Sequence, residues 1–117
     1  AKPADRIACS SWALESHGRG RATAWEFLPD GEWYGIPYGC LVVKGLDNLL
    51  VAGRNLSAAH AAQASARVAG PCIAMGEAAG VAAALALPDG VAMRDVSVDA
   101  VQRTLERHGA ILSPNWR

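Results

Sequence analysis

Residues 58 to 86 hold 14 alanines in 29 positions, and that stretch limits what the chain can fold into more than any other. Alanine is the best helix former, yet a buried alanine removes little apolar area from water, so helices built from it need close neighbours. The helix punctuation is in place. Ser57 predicts the N-cap of a first short helix that ends near Val68-Ala69-Gly70. Pro71 suits the first position of a second helix over 71–87, which Pro88-Asp89-Gly90 terminates. Ser97 caps a third, with Val98, Val101 and Leu105 as its apolar stripe and Gly109 as its stop.

Outside that stretch the bulky apolar supply is thin. Leu, Val, Ile and Phe account for only 25 of 117 residues, close to the roughly 20% below which chains remain disordered. Eleven basic residues balance eleven acidic ones and the pI is near 7.0, so charge drives neither disorder nor electrostatic binding of nucleic acid. A core this lean predicts a small unit completed by further polypeptide, a subunit or a large cofactor. The longest apolar run, 68–88, is interrupted by Glu77 and is mostly Ala and Gly, so no membrane span is expected. No signal-peptide pattern opens the sequence, and Cys9, Cys40 and Cys72 form no C-x-x-C pair. A reducing, cytoplasmic setting is the expectation.

Residues 1–40 carry six of the seven aromatics. Leu28-Pro29-Asp30-Gly31-Glu32 is a turn signal, and its flanks, Ala24-Trp25-Glu26-Phe27 and Trp33-Tyr34-Gly35-Ile36, predict a hairpin. Leu41-Val42-Val43 and Leu49-Leu50-Val51-Ala52 are apolar on both faces, as buried strands are. The fold class is therefore α/β, or α+β as a fragment: N-terminal strands, then a strand and two to three helices.

The second helix offers the most chemistry. Gly76, Ala79, Gly80 and Ala83 fall on one side, expected to be the inner one, and each glycine costs about 0.8 to 1.0 kcal/mol relative to alanine inside a helix. Close approach of a backbone or of a flat ligand repays that. Tight helix–helix packing would use the same glycines, so spacing alone admits either reading. Its first turn, Pro71-Cys72-Ile73-Ala74, is expected to present free N–H groups and the positive end of the helix dipole. The first helix aligns His60, Gln63 and Arg67, donors that would polarise a carbonyl or hold a carboxylate, although a solvated face has the same pattern. Glu15 and His17 suggest a further polar pair, and His108 complements a helix C-terminus. No phosphate-binding G-x-x-x-x-G-K-[ST], zinc spacing or nucleophile elbow is present. Gly18-Arg19-Gly20 starts like a dinucleotide fingerprint, but Thr23 replaces the third glycine.

Tyr34-Gly35-Ile36-Pro37-Tyr38, then Asp47-Asn48-Leu49-Leu50-Val51-Ala52-Gly53-Arg54, Ser57-Ala58-Ala59-His60 and Cys72-Ile73-Ala74-Met75-Gly76-Glu77-Ala78-Ala79-Gly80 together mark a family. Over about residues 5–88 the sequence resembles the C-terminal part of bacterial FAD-dependent oxidoreductases with a glutathione-reductase-like FAD-binding fold. The resemblance implies that 1–40 end a substrate-domain-like β region and that 41–117 form the C-terminal part of a Rossmann-like FAD-binding domain. It implies a parallel-sheet strand at Asn48–Gly53. Gly53, Arg54 and Asn55 would lie beside the FAD pyrophosphate and ribityl chain, with Cys72, Ile73 and Ala74 at the pyrimidine edge of the flavin. His60 and Arg67 would assist proton or hydride transfer on a small-molecule substrate. Gly39 and Gly70 stand where the family pattern has Arg and Pro. The implied partner is an N-terminal part, or a separate subunit, that carries the G-x-G-x-x-G motif. A homo-oligomer is compatible with this, whereas nucleic acid, membrane and metal are not expected.

Overall fold

The computed structural model describes residues 1–17 and 22–115. Four strands are followed by three α-helices: β1 (Arg6–Ser10), β2 (Leu14–Ser16), β3 (Ala24–Glu26), β4 (Tyr34–Pro37), α1 (His60–Ala66), α2 (Ala69–Ala86) and α3 (Val98–Arg107). The architecture is a mixed α/β one, compatible with a fragment of an FAD-binding domain. It forms a slab of 50 × 37 × 19 Å. Its radius of gyration, 15.1 Å, exceeds the roughly 13 Å usual for this length.

The turn at Pro29 forms, with the Glu32 N–H donating to the Pro29 carbonyl at 2.9 Å and Gly31 at φ +77°. The hairpin expected around it does not. β4 pairs antiparallel with β1, in the register Ala8↔Ile36, Cys9↔Gly35 and Ser10↔Tyr34, while β3 pairs antiparallel with β2. Burial explains the exchange. Ile36 joins buried Ile7 and Ala8 in the core, whereas every residue of β3 is exposed and has no core face to offer β4. Gly35 fits this pairing because a Cβ there would lie 2.9 Å from the Arg6 Cβ.

The strands expected at 41–43 and 49–52 are also corrected. Among the described residues both sheets are two-stranded and antiparallel, and these runs share one bridge, Val42↔Leu50, plus a 2.8 Å bond from the Val51 N–H to the Leu41 carbonyl. A buried strand needs ladder partners on both edges. Here Leu41 reaches the core, whereas Leu46 and Leu49 stay exposed around the left-handed Gly45.

Helix ends differ from expectation as well. Ala59, not Ser57, is the N-cap residue of α1, and α2 begins at Ala69 after Val68. Pro71 is therefore the third residue of α2 rather than its first. The third helix follows the sequence signals: the Ser97 hydroxyl accepts from the Ala100 N–H at 3.3 Å, and Gly109 takes φ +89° beyond the last turn. By length and composition alone α2 is apolar enough to cross a membrane, with mean hydropathy 1.4 over 18 residues even with Glu77 in it. It packs against β1 and α3 instead.

One core runs through the slab, joining Ile7 and Ile36 to Leu41, Met75, Val101 and Leu105. The face that α2 turns inward is Met75, Ala78, Ala82 and Ala86. The glycine stripe expected to be inner lies outside: Gly76 and Gly80 are exposed, and a Cβ on either would meet no atom of the described residues within 4 Å.

Candidate functional site

The site begins at a short 3₁₀ turn, Gly53–Asn55. Gly53 takes φ +68°, a conformation rare for side-chain-bearing residues, and a Cβ there would come within 3.6 Å of the Cys72 side chain. The turn thus sits directly against the first two turns of α2. Gln63 of α1 fastens it from the other side, its amide donating to the Arg54 carbonyl at 2.8 Å. The other end of that amide, Gln63 Oε1, is buried with no hydrogen-bond partner among the described residues.

α2 starts two residues early, and this changes which amides are free. The Cys72 N–H donates to the Val68 carbonyl at 3.2 Å, and Ile73 and Ala74 lie beyond, where an α-helix uses its own N–H groups. The unused donors of the first turn are those of Ala69 and Gly70, both exposed. Cys72 is half-buried, with its thiol 3.8 Å from the Ala66 carbonyl, while Ile73 is 72% exposed on the outer side of the helix.

Ala69 borders a cleft of about 460 Å³ whose other walls are Glu15, His17, Arg54, Arg67 and Val68. Its polar side centres on Glu15. One carboxylate oxygen lies 3.5 Å from the Arg67 guanidinium and the other 3.4 Å from His17 Nε2. Arg67 also reaches the Glu15 carbonyl at 3.3 Å. Among the described residues no carboxylate comes within 4 Å of the Arg54 guanidinium, which leaves that cation available to an anion. An adjoining cleft of about 330 Å³ shares Glu15, His17 and Arg67 and adds His60 and Gln63. A larger cleft of about 540 Å³, beside α3, is lined by Arg103, Glu106 and Arg107 and touches none of these residues.

Of the residues singled out from sequence, the structure brings Gly53 against Cys72, and Arg54, Arg67 and His60 to neighbouring clefts. Gly53, Asn55, Cys72, Ile73 and Ala74 do not themselves line those clefts. Glu15 as the partner of Arg67 was not foreseen. Its one signal is the alternation of Glu15 and His17, which puts both on the same side of an extended chain. Gly18–Gly20 lie outside the described residues, and among the described residues no cluster of three His, Cys, Asp or Glu is placed to hold a metal ion.

A mixed α/β chain in which a helix N-terminus and the Arg54 and Arg67 side chains border one cleft is of the kind suited to an anionic ligand. The match to known families makes this specific: the family model for FAD dependent oxidoreductase matches residues 1–105, and the chain belongs to that family, with FAD as its cofactor. Searches of the curated proteins and of the solved structures gave no match. The residues present fit such a cofactor. Arg54, the close approach allowed at Gly53 and the two free amides suit phosphate oxygens or an electron-rich ring edge.

Proposed function

We propose that this chain forms the flavin-contacting, C-terminal portion of an oxidoreductase with a glutathione-reductase-like FAD-binding domain. The observation that carries this reading is that Arg54 of the Gly53–Asn55 turn and Ala69 at the N-terminus of α2 line one cleft. When bound, FAD supplies two-electron redox chemistry at its isoalloxazine ring. The free N–H groups of Ala69 and Gly70, with the helix dipole behind them, stabilise negative charge at the mouth of the cleft. Gly53, Arg54 and Asn55 hold the pyrophosphate and ribityl chain, and Cys72 to Ala74 form the second turn behind the charge-stabilising amides. His60 exchanges a proton with a small-molecule substrate, and Arg67, oriented by Glu15, holds a substrate oxygen. The adenosine end belongs to an N-terminal segment or partner carrying G-x-G-x-x-G. A reducing cytoplasmic setting accords with the three free thiols.

FAD titration, followed by flavin fluorescence, tests this in the protein combined with the segment that carries the fingerprint. Arg54→Ala is expected to weaken binding at least about tenfold, equivalent to about 1.4 kcal/mol, with little effect on folding because Arg54 is exposed. Absence of flavin binding in the combined protein overturns the reading.

A second reading, a non-catalytic interaction domain descended from a flavoprotein, draws on one observation: the outer face of α2, with Ile73, Gly76, Gly80 and Leu87, is exposed. Gly76→Ala discriminates. Loss of assembly with flavin binding intact favours the second reading, and unaltered assembly excludes it.

A further inference from the structure

Only one of the two polar atoms on the Gln63 side chain is satisfied. Gln63 forms part of the wall of the cleft of about 330 Å³, and its Nε2 donates at 2.8 Å to the carbonyl of Arg54, a wall of the cleft of about 460 Å³. Its Oε1 is shut off from water and has no partner among the described residues. Turning the amide over would set that oxygen against the Arg54 carbonyl oxygen, so the bond fixes the orientation. A buried acceptor without a donor costs more than an ordinary hydrogen bond returns, and this bond is exposed, where water competes for the same carbonyl. For stability alone, an apolar side chain of equal length would serve better at position 63.

The bond joins a firmly held element to a lightly held one. In α1 the Ser65 hydroxyl, almost fully buried, donates to the Trp12 carbonyl at 2.6 Å. A hydroxyl has one proton, so the 2.6 Å contact between Tyr34 and Ser65 has Tyr34 as its donor, which ties α1 to β4. The Gln63 N–H donates to the Ala59 carbonyl at 2.9 Å, which sets its place on the helix. The Gly53–Asn55 turn, by contrast, has no side-chain cap, and the bond that closes it runs from the Leu56 N–H to the Gly53 carbonyl at 3.1 Å. Fixing the Arg54 carbonyl fixes the peptide plane after Arg54, and with it the direction in which that exposed side chain leaves the turn.

Resting on the functional reading above, we infer that Gln63 is a positioning residue of the cofactor site. It acts through Arg54, holding that guanidinium where it meets the anionic part of FAD, and the unpartnered oxygen is the stability forgone for that hold. A local rule broken beside a binding cleft is the pattern expected where function opposes stability.

Gln63→Met tests this, because it keeps the side-chain length and helix propensity while removing both the donor and the orphan oxygen. In the protein combined with the segment that carries the fingerprint, it is expected to weaken FAD about two- to tenfold by flavin fluorescence, the range of one hydrogen bond. Without flavin, the same variant should melt at or above the wild-type temperature. Gln63→Glu, of the same shape but without a donor at neutral pH, should weaken FAD at least as much. A merely structural contact would lower binding and melting together, so a lower melting temperature for flavin-free Gln63→Met overturns the proposal. FAD affinity unchanged in both variants also overturns it and leaves the functional reading intact. A double-mutant cycle supplies the second check: Gln63→Met should cost less FAD affinity when Arg54 is already Ala, and an equal cost overturns action through Arg54. Inorganic pyrophosphate separates the inference from the reading beneath it. Protein that takes up no flavin, yet is protected from melting by pyrophosphate in the wild type and not in Gln63→Met, supports the hold on Arg54 and overturns the functional reading. In such protein, absence of pyrophosphate protection overturns both.

Discussion

α2 and α3 pack against each other and against the same strand, β1, yet only one of them declares its buried face in its sequence. In α3 the apolar residues Val98, Val101 and Leu105 stand against Asp99, Gln102, Arg103 and Glu106, so the contrast between faces is large, and Val101 and Leu105 are fully buried. α2 is apolar nearly all round, with Ala or Gly at eleven of its 18 positions and Glu77 as its only charge. Its inner face is set by what lies next to it rather than by its own letters. A helix without contrast between its faces can be recognised from sequence but not oriented.

Substitutions in the two inner faces should produce the largest effects, with opposite causes. Leu105→Ala removes a fully buried side chain from α3 and is expected to cost about 2 to 5 kcal/mol in urea unfolding. Ala82→Leu adds bulk to the face of α2 that has no room, costing about 1 to 3 kcal/mol. A neutral Ala82→Leu would mean that the inner face of α2 is loosely packed and the orientation described here is wrong.

Smaller effects mark the helix ends and the outer face. Ser97→Ala leaves an N–H of α3 uncapped and should cost about 1 kcal/mol, whereas Ser57→Ala, outside α1 and away from its N-cap position, should cost nothing measurable in the same thermal melts. Gly76→Ala is expected to raise the stability of this chain by about 0.8 to 1.0 kcal/mol, because helix propensity improves and the new methyl meets open space. A loss of stability on that substitution would place some further part of the chain over the outer face.

The same contrast explains what was readable elsewhere. Local chemistry carried the Pro29 turn, the Ser97 cap and the Gly109 stop, since each depends on residues within a few positions. Pairing choices did not show. The segment at Trp33–Ile36 alternates equally well with either neighbour, and only the placement of Ile7 in the core decides for β1. Residues 49–52 read as a strand because their letters are those of one, but the described chain gives Leu50 a single bridge. At the candidate site, His60 and Arg67 stood out because they share one stripe of the first helix, whereas Arg54 came only with the family resemblance. Glu15 did not stand out, since its importance comes from a contact with Arg67, 52 positions away. The two-residue shift of the α2 start was invisible for a related reason: Pro71 is tolerated anywhere in the first turn, where its missing N–H costs nothing.

The smallest expected signal lies in the connection between the two helices and appears only at alkaline pH. Tyr38 is almost fully buried, and its hydroxyl donates at 2.6 Å to the Met93 carbonyl, in the segment that leads from α2 to α3. Burial pushes its phenol above the ordinary value of 10.0. Burial likewise raises the Cys9 thiol above 9.0, against the opposing pull of Arg6, and raises the Cys40 thiol, where Asp5 adds to the effect. All three groups are neutral when protonated, and all three hold their protons more tightly folded than unfolded. Their contribution is therefore complete below pH 9 and is lost as pH rises through the folded values, because the unfolded chain ionises first. Stability measured by urea titration should be level through neutrality and then fall, first with the thiols and more steeply past pH 10. Tyr38→Phe should start slightly less stable, for want of the bond to Met93, but lose less between pH 10 and 11. An alkaline limb of equal slope in wild type and Tyr38→Phe would mean that the phenol reaches water, and that the joint between α2 and α3 is more open than its hydrogen bonding indicates.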